Sequence, residues 1–229
     1  MTPERFAKLQ RALDRRQPDL TVFMDSVNKA QNFAAIIRTA DAVGIQRLHA
    51  IAESDAMRRH HAIAGGPKRW VGITLHRSTR AALSTLRAEG WQLVAAHVGP
   101  ETRDYREVDY TAKVALMVGA ELVGLSDAAV AAADHCVAVP MHGLGTSLNV
   151  SVAVGVILLE AERQRLKAGF YERSRLTPEE RERTLFEWSY PEIAERCRQL
   201  GHPYPALTAD GRLAANPLLD VSVSTVTDE

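Results

Sequence analysis

Short apolar runs recur along the first two thirds of the chain, and helical patterns separate them. Leu20–Met24, Arg47–Ile51, Trp70–Leu75, Trp91–Ala96, Val114–Val118 and Cys136–Val139 each read as a buried strand. Asn32–Val43 places Phe33, Ile36, Ile37, Ala40 and Val43 on one side of a helix that Gly44 ends. Ser78–Glu89, closed by Gly90, and Asp127–Ala133 also have helical character. Apolar strands alternating with helices predict an α/β fold, a parallel sheet with helices on both faces.

Segments at either end extend this core. Pro3–Arg16 reads as a basic amphipathic helix carrying Phe6, Leu9 and Leu13, broken at Gln17-Pro18-Asp19. Val150–Leu159 is apolar on nearly every side, which calls for burial against the sheet, a second subunit, or both. The charges at Glu160, Glu162, Arg163, Arg165 and Lys167 then suggest emergence into solvent. The expected partition is an N-terminal helical extension over 1–18, an α/β domain over 19–166 and a C-terminal helical extension over 167–229. The tail Asp220–Glu229 lacks core residues and is expected to be disordered.

Composition narrows the class. Only two cysteines occur in 229 residues, Cys136 and Cys197, which argues against a disulfide framework and for a reducing compartment. The first residues lack the apolar run of a secretory signal, and no stretch approaches a membrane span, so a cytoplasmic protein with no membrane association is expected. Formal net charge is zero, but its distribution is uneven. Arg58, Arg59, Lys68, Arg69, Arg77, Arg80 and Arg87 fall in a stretch without an acidic residue, and Arg5, Lys8, Arg11, Arg15 and Arg16 crowd the N-terminal helix. Such a face fits a polyanion, or is simply the solvated side of ordinary helices.

Three segments carry candidate chemistry. Val139–Ser151 leaves a strand, crosses Pro140, Gly143 and Gly145, and enters the apolar helix through Ser147, Asn149 and Ser151. Helix capping accounts for one of those polar residues but not for the glycines. Gly119–Gly124 follows the strand at Val114–Val118, where ligands collect in parallel sheets, although Glu121 there equally suits a helix N-terminus. Asn32 and Arg38 share a helix but point about 120° apart, so they line two sides of a cleft and cannot grip one atom. No phosphate-binding Gly-Lys-Ser/Thr loop, dinucleotide fingerprint or Gly-x-Ser-x-Gly elbow is present, and the histidines have no metal-ligand spacing, so no metal is expected.

Taken in order, the segments resemble the three motifs of the SPOUT superfamily of RNA methyltransferases. Asn32…Arg38-Thr39-Ala40 is similar to the first, Gly119-x-Glu121-x-x-Gly124 to the second, and Pro140-Met141-x-Gly143…Ser147-Leu148-Asn149-Val150-Ser151 to the third. The likeness spans nearly the whole chain and is greatest to the branch acting on tRNA guanosine 2′-hydroxyls. Ala30, Ala34, Ala120 and Leu159 depart from the usual family residues. The resemblance implies a deep trefoil knot roughly over 114–166, S-adenosylmethionine as cofactor, a homodimer, and 2′-O-methylguanosine at position 18 of the tRNA D-loop as product. A ribosomal-RNA methyltransferase or a non-catalytic RNA-binding protein of the same fold is the alternative. It further implies catalytic roles for Arg38, Asn32, Glu121, Ser147 and Asn149, with Arg38 either the proton acceptor or a phosphate clamp. Cofactor contacts are expected at Ala96, Gly119, Val139, Met141 and Leu148, and tRNA contacts at Lys8, Arg11, Arg15, Arg16, Arg58 and Arg59.

Overall fold

The computed structural model describes residues 1–52, 70–120 and 123–214. By internal contacts these form two compact units, residues 16–175 and a second made of residues 1–15 with the chain from Leu176 onward. By those contacts the two terminal segments belong to one unit, which runs up to Arg15 and resumes at Leu176.

The larger unit holds β1 (Leu20–Asp25), α2 (Ala30–Ala42), β2 (Arg47–Ile51), β3 (Gly72–His76), α3 (Thr79–Ala88), β4 (Gln92–Ala96), β5 (Arg103–Asp104), β6 (Val114–Gly119), α4 (Asp127–Ala131), β7 (His135–Ala138) and α5 (Val150–Lys167). The strands form one sheet in the order β3-β2-β1-β6-β4-β7-β5, and every pairing is parallel. Period-two alternation divides its side chains between two cores. Leu20, Val22 and Met24 of β1, with Val114, Leu116 and Val118 of β6, pack under Phe33, Ile36 and Ile37 of α2 and Val154, Ile157 and Leu158 of α5. Phe23, Ala115 and Met117 face the other way, toward Leu83 and Leu86 of α3 and Ala129 of α4. Helices thus cover both faces, as the doubly apolar strands require.

Two charged residues that resemble solvent-facing arginines are built into this unit. Arg165 is fully buried, donating to Asp19 Oδ1 at 2.6 Å, Gln17 Oε1 at 3.0 Å and the carbonyls of Tyr110, Asp19 and Ala112. The charged end of α5 therefore does not simply emerge into solvent; one of its cations ties it to the start of β1 and the approach to β6. Arg16 is buried as well, bonded to Asp41 Oδ1 at 2.6 Å and the Ile45 carbonyl at 3.0 Å. Burial lowers the pKa of its guanidinium, and Asp41 works against that shift.

The smaller unit contains α1 (Pro3–Asp14), α6 (Pro178–Ser189) and α7 (Pro191–Leu200). Phe6, Leu9 and Leu13 are its buried α1 stripe, and Leu185, Phe186 and Trp188 are buried on α6. Arg181 pairs with Asp14 at 2.6 Å, joining α6 to α1. A capping box at Thr177 and Glu180 opens α6 by satisfying its first free amides.

Candidate active site

β6 is the hinge of the sheet's connectivity, because the chain builds β1, β2 and β3 outward to one side and places β4, β7 and β5 on the other. Ligands in parallel sheets collect beyond the strand C-termini at such a point. A cleft of about 430 Å³ lies there, lined by Ala96 at the end of β4, Val118 and Gly119 of β6, Val137 and Ala138 of β7, and the 139–150 segment. Its size suits a small-molecule cofactor.

Backbone geometry explains the glycines around it. Ala120 and Gly124 exchange both backbone hydrogen bonds, 3.0 Å and 2.8 Å, folding the chain sharply back after β6. A Cβ on Gly119 would stand 2.0 Å from the Gly124 carbonyl, so no side chain fits, and Gly124 has φ +71°. Gly119 thereby allows the tight turn that closes β6 at the edge of the cleft. Ala96, Gly119, Val139, Met141 and Leu148 all line the cleft, and so do Ser147 and Asn149.

The polar end is assembled by long-range pairing. Asn149 is the N-cap of α5, its Oδ1 accepting from the Ser151 amide at 2.9 Å and the Ser151 hydroxyl at 2.6 Å. The same side chain donates through Nδ2 to Asn32 Oδ1 at 3.2 Å, and the Ser151 hydroxyl stands 3.4 Å from that oxygen. Capping and site construction are thus carried out by one residue. Asn32 is buried, whereas Arg38, farther along α2, is exposed. Arg38 does not line the cleft, and its side chain makes no hydrogen bond or ion pair among the described residues.

Lys8, Arg11 and Arg15 are exposed in the helical unit, but Arg16 is not with them: one residue on, it points into the α/β unit toward Asp41. Glu121, Arg58, Arg59 and the tail after Asp220 lie outside the described residues. Two polar cleft residues lie outside the segments singled out in the sequence, Lys29 and His97. Lys29 stands one helical turn before Asn32, a spacing that does place it on the same face. The His97 amide bonds the Val137 carbonyl at 3.1 Å, which fixes the loop after β4 against β7.

The profile of the SpoU rRNA methylase family matches residues 19–159, and that of the family's C-terminal region matches residues 163–216. The tRNA (guanosine(18)-2′-O)-methyltransferase of Escherichia coli strain K12 is 43% identical over 94% of this chain and 95% of its own length. Among solved structures, an A. aeolicus TrmH/SpoU tRNA modifying enzyme superposes with a TM-score of 0.76 at 41% identity, covering 83% of this chain and 97% of that one. The SpoU methyltransferase AviRb from Streptomyces viridochromogenes, in complex with the cofactor AdoMet, gives 0.56 at 27% identity over 67% of this chain and 62% of its own. The chain belongs to the SpoU methylase family.

Proposed function

We infer that this protein is an S-adenosylmethionine-dependent methyltransferase that forms 2′-O-methylguanosine at position 18 of tRNA. The observation that carries the reading is 43% identity, over nearly the full length of both chains, to a tRNA enzyme of that specificity, joined to a cleft of suitable size at the strand ends. The ribosomal-RNA alternative has less support, since the likeness includes the helical extensions as well as the α/β unit.

The residues present fit the cofactor. Gly119 lets the chain turn back tightly at the cleft, and Ala96, Val139, Met141 and Leu148 offer apolar surface and backbone groups for a nucleoside. Bound there, S-adenosylmethionine supplies a methyl group on a cationic sulfur, already electrophilic. The protein must then hold the ribose oxygen in line and accommodate its proton. Ser147 and Asn149, which line the cleft, would orient the ribose, with Asn32 holding Asn149 in place; Glu121 is assigned beside them on the family likeness alone. A guanidinium stays protonated in proteins, so we assign Arg38, which does not line the cleft, to clamping a tRNA phosphate and not to removing the proton. Lys8, Arg11 and Arg15 contribute phosphate contacts.

A homodimer and the family's deep trefoil knot over 114–166 belong to the same reading. Val152, Leu159 and Leu166 are 50%, 56% and 55% exposed on α5. At seven-residue intervals they form one stripe, as helix–helix seams do. The unpaired cysteines Cys136 and Cys197 fit a cytoplasmic location. Incubating the protein with methyl-labelled S-adenosylmethionine and unmodified tRNA tests the function: labelled tRNA is expected, and label confined to a ribosomal fragment would transfer the assignment to that RNA.

A further inference from the structure

Among the described residues, Lys29 is the one side chain lining the cleft that carries a formal charge; the others are apolar or neutral. It is exposed, so its ammonium is held at the open side of the cleft without heavy desolvation. It is the N-cap residue of α2, three positions before Asn32, and lines the cleft together with Asn149, the partner of Asn32. Arg38 lies nine residues further on. That is about 13 Å along the helix and about 180° around it, so Arg38 does not supply positive charge to this face.

A cation in this position has to be reconciled with the ligand. S-adenosylmethionine carries two positive groups and one carboxylate, so on balance a nearby ammonium repels it. RNA brings one negative charge per nucleotide, and the phosphodiester beside a target 2′-hydroxyl must come to the same end of the cleft as that hydroxyl. We propose that Lys29 is a positioning residue that binds a phosphodiester flanking the target nucleotide and so registers the 2′-oxygen against the Asn32–Asn149 end of the cleft. This rests on the tRNA methyltransferase reading above.

Two anions share the required chemistry, the RNA phosphodiester and the cofactor's own carboxylate, and the full-length protein distinguishes them. Lys29→Gln is compared with Lys29→Arg and the wild type by steady-state transfer to a tRNA transcript, by calorimetry with S-adenosylmethionine alone, and by the salt dependence of tRNA binding. Lys29→Gln is expected to raise KM for tRNA about tenfold, the effect of losing one charge-assisted hydrogen bond. It should leave cofactor affinity within about twofold and make the salt slope shallower by about one unit. Lys29→Arg should restore most of the KM, because it keeps the charge. Loss of cofactor affinity with an unchanged KM for tRNA would overturn the proposal in favour of the carboxylate, and an unchanged Lys29→Gln would overturn it outright. A wild-type protein that methylates no tRNA would instead defeat the functional reading.

Discussion

Asn149 Nδ2 donates to Asn32 Oδ1 at 3.2 Å across 117 residues of sequence, while Asn149 Oδ1 caps the first turn of α5. One amide thus holds a cofactor-cleft loop, the helix that follows it and the helix bearing Arg38 in a single geometry. Asn149→Asp retains the cap acceptor but turns a carboxylate toward Asn32 Oδ1. The thermal midpoint should stay near wild type while single-turnover methyl transfer falls about 100-fold, the scale of misplacing a reacting group. Asn149→Ala loses the cap as well, at about 1 kcal/mol of stability. Equal rates for Asn149→Asp and wild type would show that the pair is structural only.

Gly119→Ala should impair cofactor binding more than any conservative change elsewhere in the cleft. The added Cβ meets the Gly124 carbonyl at 2.0 Å, so the turn after β6 must open. Overpacking of that kind costs about 1–3 kcal/mol. Calorimetry with S-adenosylmethionine should show at least about a tenfold loss of affinity. Wild-type affinity would mean that the turn yields freely.

Arg165 and Arg163 sit two residues apart on α5 and should behave oppositely. Arg165 is fully buried in five hydrogen bonds, and Arg165→Met strips those partners without replacing them. Breaking a buried pair of this kind costs about 3–5 kcal/mol. Arg163 bonds Glu160 at the surface, and Arg163→Ala should cost under about 1 kcal/mol. Urea denaturation measures both; similar midpoints for the two variants would refute the Arg165 network as a stabilising anchor.

Those arginines also show what sequence patterns reveal and what they hide. The long strands were legible to within a residue or two because burial on both faces leaves runs such as Leu116-Met117-Val118 with no polar interruption. β5 was not, since Arg103–Asp104 is two polar residues held only by pairing with Val137 and Ala138. Arg165 follows three charged residues and resembles them in sequence; its burial comes from Asp19 and Gln17, about 150 positions away, which no local window contains. In the site, Gly119 marked the turn after β6 because a collision at Cβ is a local constraint, whereas Gly143 and Gly145 meet no such neighbour. The Asn32–Asn149 bond, the cleft position of Lys29 and the outward turn of Arg38 depend on how α2 packs over α5, which periodicity alone does not fix.

A histidine pair on β2 and β3 makes stability pH-dependent. His49 Nδ1 and His76 Nε2 are 2.9 Å apart, so one ring donates to the other and both are accommodated neutral. Burial, then the neighbouring His76 and Arg47, push His49 down to about 4, and burial lowers His76 as well. The unfolded chain takes up the proton first, near pH 6.5. The pair's contribution is therefore complete above about pH 6.5 and is lost as pH falls toward 4, by up to about 3 kcal/mol for His49. Chemical denaturation from pH 7.5 to 4.5 should show this slope, and His49→Gln should flatten it. An unchanged slope in that variant would place the acid sensitivity elsewhere.

The proposed methyl transfer turns on a single oxygen, the 2′-hydroxyl of guanosine 18, and removing that oxygen should abolish it. Two tRNA transcripts identical except for 2′-deoxyguanosine at position 18 would be incubated with the protein and labelled S-adenosylmethionine. Stoichiometric methylation of the all-ribose transcript and none of its deoxy counterpart is expected. Equal labelling of the two, or labelling of neither, would contradict it.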